Sequence, residues 1–129
     1  MFWNRKKKNK PVPPLEGKKI IKFIENAGGC ICSRSIWNGE TTLRWCVREK
    51  SVNPADNGWR FIGATDDEDY INVVENNMVL DFNTVANIEP AILGIYDMPI
   101  GTDLAIHKDK DGKIRFLDVK TGKEIKPDR

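Results

Sequence analysis

Thr41-Thr42-Leu43-Arg44-Trp45-Cys46-Val47-Arg48 and, further on, Trp59-Arg60-Phe61-Ile62-Gly63 are the stretches that settle the fold class. In the first, Leu43, Trp45 and Val47 alternate with Arg44, Cys46 and Arg48. A period of two marks a half-buried strand, and this alternation predicts that Trp45 faces the core. The second is a short run of β-branched and aromatic residues closed by Gly63. Between them, Asn53-Pro54, Asp56 and Asn57-Gly58 carry the residue types of a loop.

Working toward the N-terminus, Cys30-Ile31-Cys32-Ser33 reads as another short strand, followed by Asn38-Gly39. Asn-Gly is the strongest two-residue hairpin signal, because both residues tolerate positive φ, so a hairpin is expected there. Further back, Ile20, Ile21, Phe23, Ile24 and Ala27 fall at roughly helical spacing, and Gly28-Gly29 follows. The spacing predicts a helix over Leu15 to Ala27 with a left-handed stop.

Toward the C-terminus, Asp66-Asp67-Glu68-Asp69 forms an acidic cluster ending at Tyr70. Asn83 or Thr84 is expected to cap a short helix through Ile88, and Pro90 suits the first turn of a second one to about Tyr96. Pro99 and Gly101 lead into a strand around Leu104-Ala105-Ile106. Asp109-Lys110-Asp111-Gly112 then makes a hairpin turn, and Ile114, Phe116 and Val119 lie in the last strand. No repeat is visible. The pattern predicts an α+β fold, a single small domain with a mainly antiparallel sheet and packed helices. It is expected over residues 15–129, with the C-terminal hairpin at 103–120 and residues 1–14 as a mobile basic arm.

The chain has 129 residues and a net charge of +2, which hides an uneven distribution. Residues 1–14 carry five Lys/Arg and no acid, while residues 15–107 carry eight Lys/Arg against fourteen Asp/Glu, a net −6. Residues 108–129 carry eight against five, a net +3. An acidic body repels a phosphate backbone and attracts a basic partner, so the body is not expected to bind nucleic acid stably. The competing expectation is a nucleic-acid or membrane-surface module led by the basic arm, with Phe2 and Trp3 beside Lys6-Lys7-Lys8. No apolar run reaches the roughly 18–20 residues of a membrane span. The N-terminal residues lack the apolar stretch of a secretory signal, and three cysteines do not suit a disulfide-stapled secreted domain; a cytoplasmic protein is expected.

Candidates for chemistry are few. The single histidine, His107, would have to meet one of the cysteines to form a nucleophile pair, and no local signature of such an enzyme surrounds Cys30, Cys32 or Cys46. Three cysteines and one histidine make a legal zinc set. A Cys-x-Cys pair within a strand wraps a metal poorly, however, and buried thiols are the expectation. The acids at 66–69 lack the alternating spacing and glycine of a calcium loop. Neither cofactor nor catalytic activity is expected. Trp37, just before Asn38-Gly39, is the tryptophan expected at the surface, where it could anchor a partner.

A set of short motifs resembles a known family. They are Gly29-Cys30-Ile31-Cys32-Ser33-Arg34, Arg48-Glu49 and Asp56-Asn57-Gly58-Trp59-Arg60-Phe61, with Asp67-Glu68-Asp69-Tyr70, Asn83-Thr84-Val85, Pro90-Ala91-Ile92 and Pro99-Ile100-Gly101 downstream. Together they resemble the immunity protein 33 family of bacterial polymorphic-toxin systems, over about residues 29–102. Asn57 stands where a serine is expected, and Ala64-Thr65 separates Gly63 from the acids. The resemblance implies a protein that binds and neutralises a cognate toxin, and it transfers no identified site. From charge and aromatic content, the partner surface is expected at Trp37, Asp66, Asp67, Glu68, Asp69 and Tyr70.

Overall fold

Seven strands form one sheet in the computed structural model, which describes residues 10–127. In chain order they are β1 (Gly29–Ser33), β2 (Leu43–Arg48), β3 (Asp56–Gly63), β4 (Asn77–Asp81), β5 (Asp103–Lys108), β6 (Ile114–Asp118) and β7 (Glu124–Ile125). Across the sheet they run β4-β1-β3-β2-β5-β6-β7, with every neighbouring pair antiparallel except β1 and β3. Three short α-helices, α1 (Arg34–Trp37), α2 (Glu68–Ile71) and α3 (Phe82–Ile88), join 3-10 segments at Val74–Asn76 and Pro90–Ile95. The expected α+β class and mainly antiparallel sheet are present. Residues 1–9, most of the expected basic arm, lie outside the described residues.

Cys46, not Trp45, faces the core. Leu43 lies opposite Gly63 and Trp45 opposite Ile62, so two residues of β2 advance against one of β3. Arg44 is the extra residue of a β-bulge, and it shifts the phase of the alternation. Leu43 and Cys46 are buried three residues apart, while Trp45 is half-buried on the opposite face. The guanidinium of Arg44 sits 5.6 Å from the centroid of the Trp45 ring.

The registers place Met78, Cys32, Phe61, Cys46 and Leu104 in one row across five strands. That row lies under α3 and the Pro90–Ile95 segment, which add Phe82, Val85, Ala86, Ile92 and Ile95 to the core. The helix α3 starts one residue before the expected cap: Asp81 caps it, accepting from the Asn83 N–H at 2.8 Å. Pro90 opens the 3-10 segment as its first residue.

The expected helix over Leu15–Ala27 does not form. Residues 14–17 make a turn, and residues 18–23 run in an irregular, non-helical course. Two asparagines one turn apart on α3 bind this backbone strip instead. Asn83 accepts from the N–H groups of Phe23 and Ile24, both at 2.9 Å, and donates to the Ile24 carbonyl. Asn87 exchanges bonds with the N–H and carbonyl of Ile21. A short isolated helix is marginal in water, and fixed side-chain amides outcompete it. The apolar spacing misled because Ile20, Ile21 and Phe23 stay exposed, while Ile24 packs against the core and Ala27 is buried within it. Replacing Asn83 with Ala should free the Phe23 and Ile24 amides and cost about 1–3 kcal/mol. Amide hydrogen exchange at those two residues checks this; unchanged protection would show that the strip is held by packing alone.

Asn38-Gly39 is not a hairpin, because β1 and β2 are not neighbours in the sheet. Asn38 closes α1 in right-handed geometry, and only Gly39 has positive φ, at 79°. A Cβ on Gly39 would strike the Val12 carbonyl, so the absent side chain is what lets the proline segment approach. The Asp111-Gly112 hairpin forms as expected between β5 and β6, with Gly112 at φ 84°. Val119 lies just past β6, and the last strand is β7.

Candidate functional site

The helix α3 and the 3-10 segment at Pro90–Ile95 cover one face of the sheet, and the other face carries a second row of side chains. Val79, Ile31, Arg60, Val47 and Asp103 stand in register there across five strands. Beside them Ile62, Trp45, Ala105 and Leu117 form a parallel row. At the β4 end a groove of about 500 Å³ opens between this face and the chain after α2, lined by Ile31, Val47, Ile62, Ile71, Val74 and Val79. Val79 and Val74 are 81% and 80% exposed, more than any other exposed large apolar residue described.

Arg60 is the polar landmark of that groove. Its guanidinium donates to both oxygens of Asp56 at 2.9 and 2.8 Å, to Glu49 at 2.9 Å and to the Trp59 carbonyl at 3.0 Å. Asp56 also accepts from the N–H groups of Val52 and Gly58, both at 2.9 Å. The Arg60 hydrogen bonds hold the Asp56 carboxyl well below the usual carboxylate range, and Asp56 in turn raises Arg60. Gly58, at φ 90°, is required between them, since a Cβ there would strike the Glu49 carbonyl. Trp59 turns the other way into the core, fully buried, with its Nε1–H donating to the Tyr96 carbonyl at 3.2 Å. Trp59 and Arg60 therefore both serve the fold, and Arg60 also borders the groove.

The acidic cluster divides into two roles. Asp66 is half-buried and accepts from the Ser35 hydroxyl at 2.6 Å and from the Gly63 N–H at 2.7 Å. Asp67 caps α2 by accepting from the Tyr70 N–H at 2.8 Å. Glu68 and Asp69 are exposed on the first turn of α2. Tyr70 is half-buried beside them, and its carbonyl accepts from Asn76. Trp37 is half-buried rather than fully at the surface. Its helix α1 adjoins the cluster through Ser35 and reaches the Glu75 carbonyl through Arg34 at 2.8 Å. The sequence reading missed β4, whose signal was the short apolar run Met78-Val79-Leu80 between polar residues.

No reactive centre is assembled from the other candidates. Cys30, Cys32 and Cys46 are all free and buried on the core face. Burial raises all three thiols: Cys32 is pushed up to about 12, with Asp66 adding to the effect, and Cys30 and Cys46 are likewise pushed well up. Such thiols stay protonated at neutral pH and are poor nucleophiles and ligands. His107 is exposed on the opposite face of the sheet, so it does not converge with them. Among the described residues no group of three or more His, Cys, Asp or Glu is placed to hold a metal ion. None of the helices among them is long and apolar enough to cross a membrane.

The segment from β1 to β6 that builds both faces is also the segment that a family model matches. Residues 30–117 match the family described as the immunity protein Imm33 domain. The chain belongs to the Imm33 immunity protein family. The Imm33 match extends beyond the stretch from about 29 to 102 that carried the resemblance and takes in β5 and most of β6. It excludes the strip at 18–24 laced to α3 and the edge strand β7. No curated protein and no solved structure matches this Imm33 chain.

Proposed function

We propose that this protein neutralises a cognate bacterial toxin in the cytoplasm by binding it directly, without turnover, cofactor or metal. Membership of the Imm33 family carries this reading, because an immunity protein implies a toxin partner. The docking surface is the acidic segment Asp66–Tyr70, with Trp37 beside it and the open sheet face next to it. From Asp66 to Asp81 the chain has six acids and no Lys or Arg. A toxin that handles phosphate must present cations, and an acidic inhibitor can occupy the same surface. Within the cluster Glu68 and Asp69 steer the encounter, since Asp66 and Asp67 are committed to Ser35, Gly63 and Tyr70. Trp37 and Tyr70 contribute anchor area that slows release.

The test starts from the genes beside this one, among which a toxin domain is expected. Co-expression of the wild-type chain should rescue growth from that toxin. The double variant Glu68→Gln, Asp69→Asn should stay within about 0.5 kcal/mol of wild-type stability, as exposed sites do. Its association rate with the purified toxin should fall several-fold at low salt, and the difference should fade above about 0.15 M, where the Debye length is roughly 8 Å. An unchanged rate and salt dependence would remove the acidic steering and leave toxin binding to another surface.

A further inference from the structure

The two edges of the sheet are built differently. The β7 edge is two residues long, Glu124–Ile125, flanked by Lys123 and by Lys126-Pro127. Short length, lysine and proline are the usual means by which natural edges avoid pairing with other chains. The β4 edge, Asn77-Met78-Val79-Leu80-Asp81, has five residues and neither lysine nor proline. The bond from the Phe82 N–H to the Gly28 carbonyl, at 2.9 Å, fixes the phase of its ladder with β1. With Cys30 opposite Leu80 and Cys32 opposite Met78, those pairs exchange hydrogen bonds with β1. Val79 and Asp81 turn their N–H and carbonyl groups outward, away from the sheet, whereas the Asn77 N–H is taken by the Val74 carbonyl.

We propose that β4 is a strand-addition site, on which an extended basic segment of the toxin pairs as an eighth strand. This rests on the toxin-binding reading above and names the part of the partner involved. The groove beside the edge suits such a segment, because an added strand would lay alternate side chains over Val79 and Val74, the most exposed apolar residues. Its charge sets the chemistry of the occupant. Glu75 and Asp81 flank the edge, and exposed Glu68 and Asp69 lie on α2, whose last residue, Ile71, lines the groove. Arg60 is neutralised by Asp56 and Glu49, and Arg34, which binds the neutral Glu75 carbonyl and keeps its charge, is outweighed by the six acids of Asp66–Asp81. A strand alternating apolar residues with Lys or Arg meets both demands. A second copy of this chain does not, since pairing β4 with β4 would bring two sets of six acids together.

Val79→Pro removes one outward N–H that β1 does not use, and Val79→Lys installs the usual edge protection. Both variants should keep the wild-type thermal transition, and both should bind the adjacent-gene toxin domain at least about tenfold more weakly. The lysine variant keeps the test decisive if the proline variant misfolds. Toxin that binds wild type and the lysine variant equally overturns strand addition and leaves the immunity reading standing. Toxin that binds neither overturns both. A wild-type dimer in sedimentation that Val79→Lys dissociates would assign the edge to a second copy and likewise overturn the proposal.

Discussion

Replacing Arg60 with Met is expected to cost about 3–5 kcal/mol, the usual penalty for removing one partner of a buried ion pair. The side chains of Arg60 and Asp56 are 10% and 8% exposed, so the abandoned carboxylate cannot recover its hydration. Asp56 would keep only the N–H groups of Val52 and Gly58. Glu49 is 60% exposed and returns to water at little cost. A small domain has roughly 5–15 kcal/mol in total, which leaves this variant near the threshold of folding. Asp56→Asn combined with Arg60→Met should recover part of the loss, because no buried charge is then unpaired.

The same pair sets an acid dependence. The folded-state carboxyl of Asp56 is depressed, so its stabilisation is full above the ordinary carboxylate value near about 4 and is lost as pH falls below it. Urea unfolding at pH 7 and at pH 3 should show a decline in the wild type that is smaller in Arg60→Met, which has lost the interaction already. A penalty under about 1 kcal/mol at pH 7, with equal acid sensitivity, would show that the pair contributes little.

Trp59→Ala is expected to be comparably severe, about 3–5 kcal/mol, as for other fully buried aromatic side chains. The indole is stacked on Phe61, with centroids 6.0 Å apart and planes 10° from parallel, and the Arg48 guanidinium lies 5.7 Å from its centroid. Trp59→Phe should cost far less, near about 1–2 kcal/mol. The ring stack is kept, and the Tyr96 carbonyl that loses the indole N–H still accepts from Arg48 at 3.3 Å. Chemical denaturation of the two variants separates ring volume from the hydrogen bond. Equal losses would mean that the indole N–H dominates.

Strand composition made β1, β2, β3, β5 and β6 legible, and Asp111-Gly112 placed its hairpin correctly. The failures have local causes. A one-residue bulge at Arg44 inverted the reading of Trp45, which alternation alone could not reveal. Asn83 and Asn87, 59 or more residues away in sequence, bind the strip that apolar spacing marked as a helix. Asn38-Gly39 had hairpin chemistry but closes a four-residue helix. The acidic cluster was visible as charge, while its division into two hydrogen-bonded and two uncommitted carboxylates depended on Ser35 and Gly63 reaching Asp66 and on Asp67 capping α2. The β4 edge was missed because five residues bordered by asparagine and aspartate carry little periodic signal.

Hydrogen exchange of the purified chain, alone and with a toxin domain that it neutralises in co-expression, tests the account most directly. Direct neutralisation through the acidic edge predicts slowed exchange in residues 66–81, strongest at the outward amides of Val79 and Asp81, with α3 and the Pro90–Ile95 segment unchanged. Protection confined to the helix-covered face or to the lysine-rich hairpin after residue 108, with 66–81 exchanging as in the free protein, would contradict it.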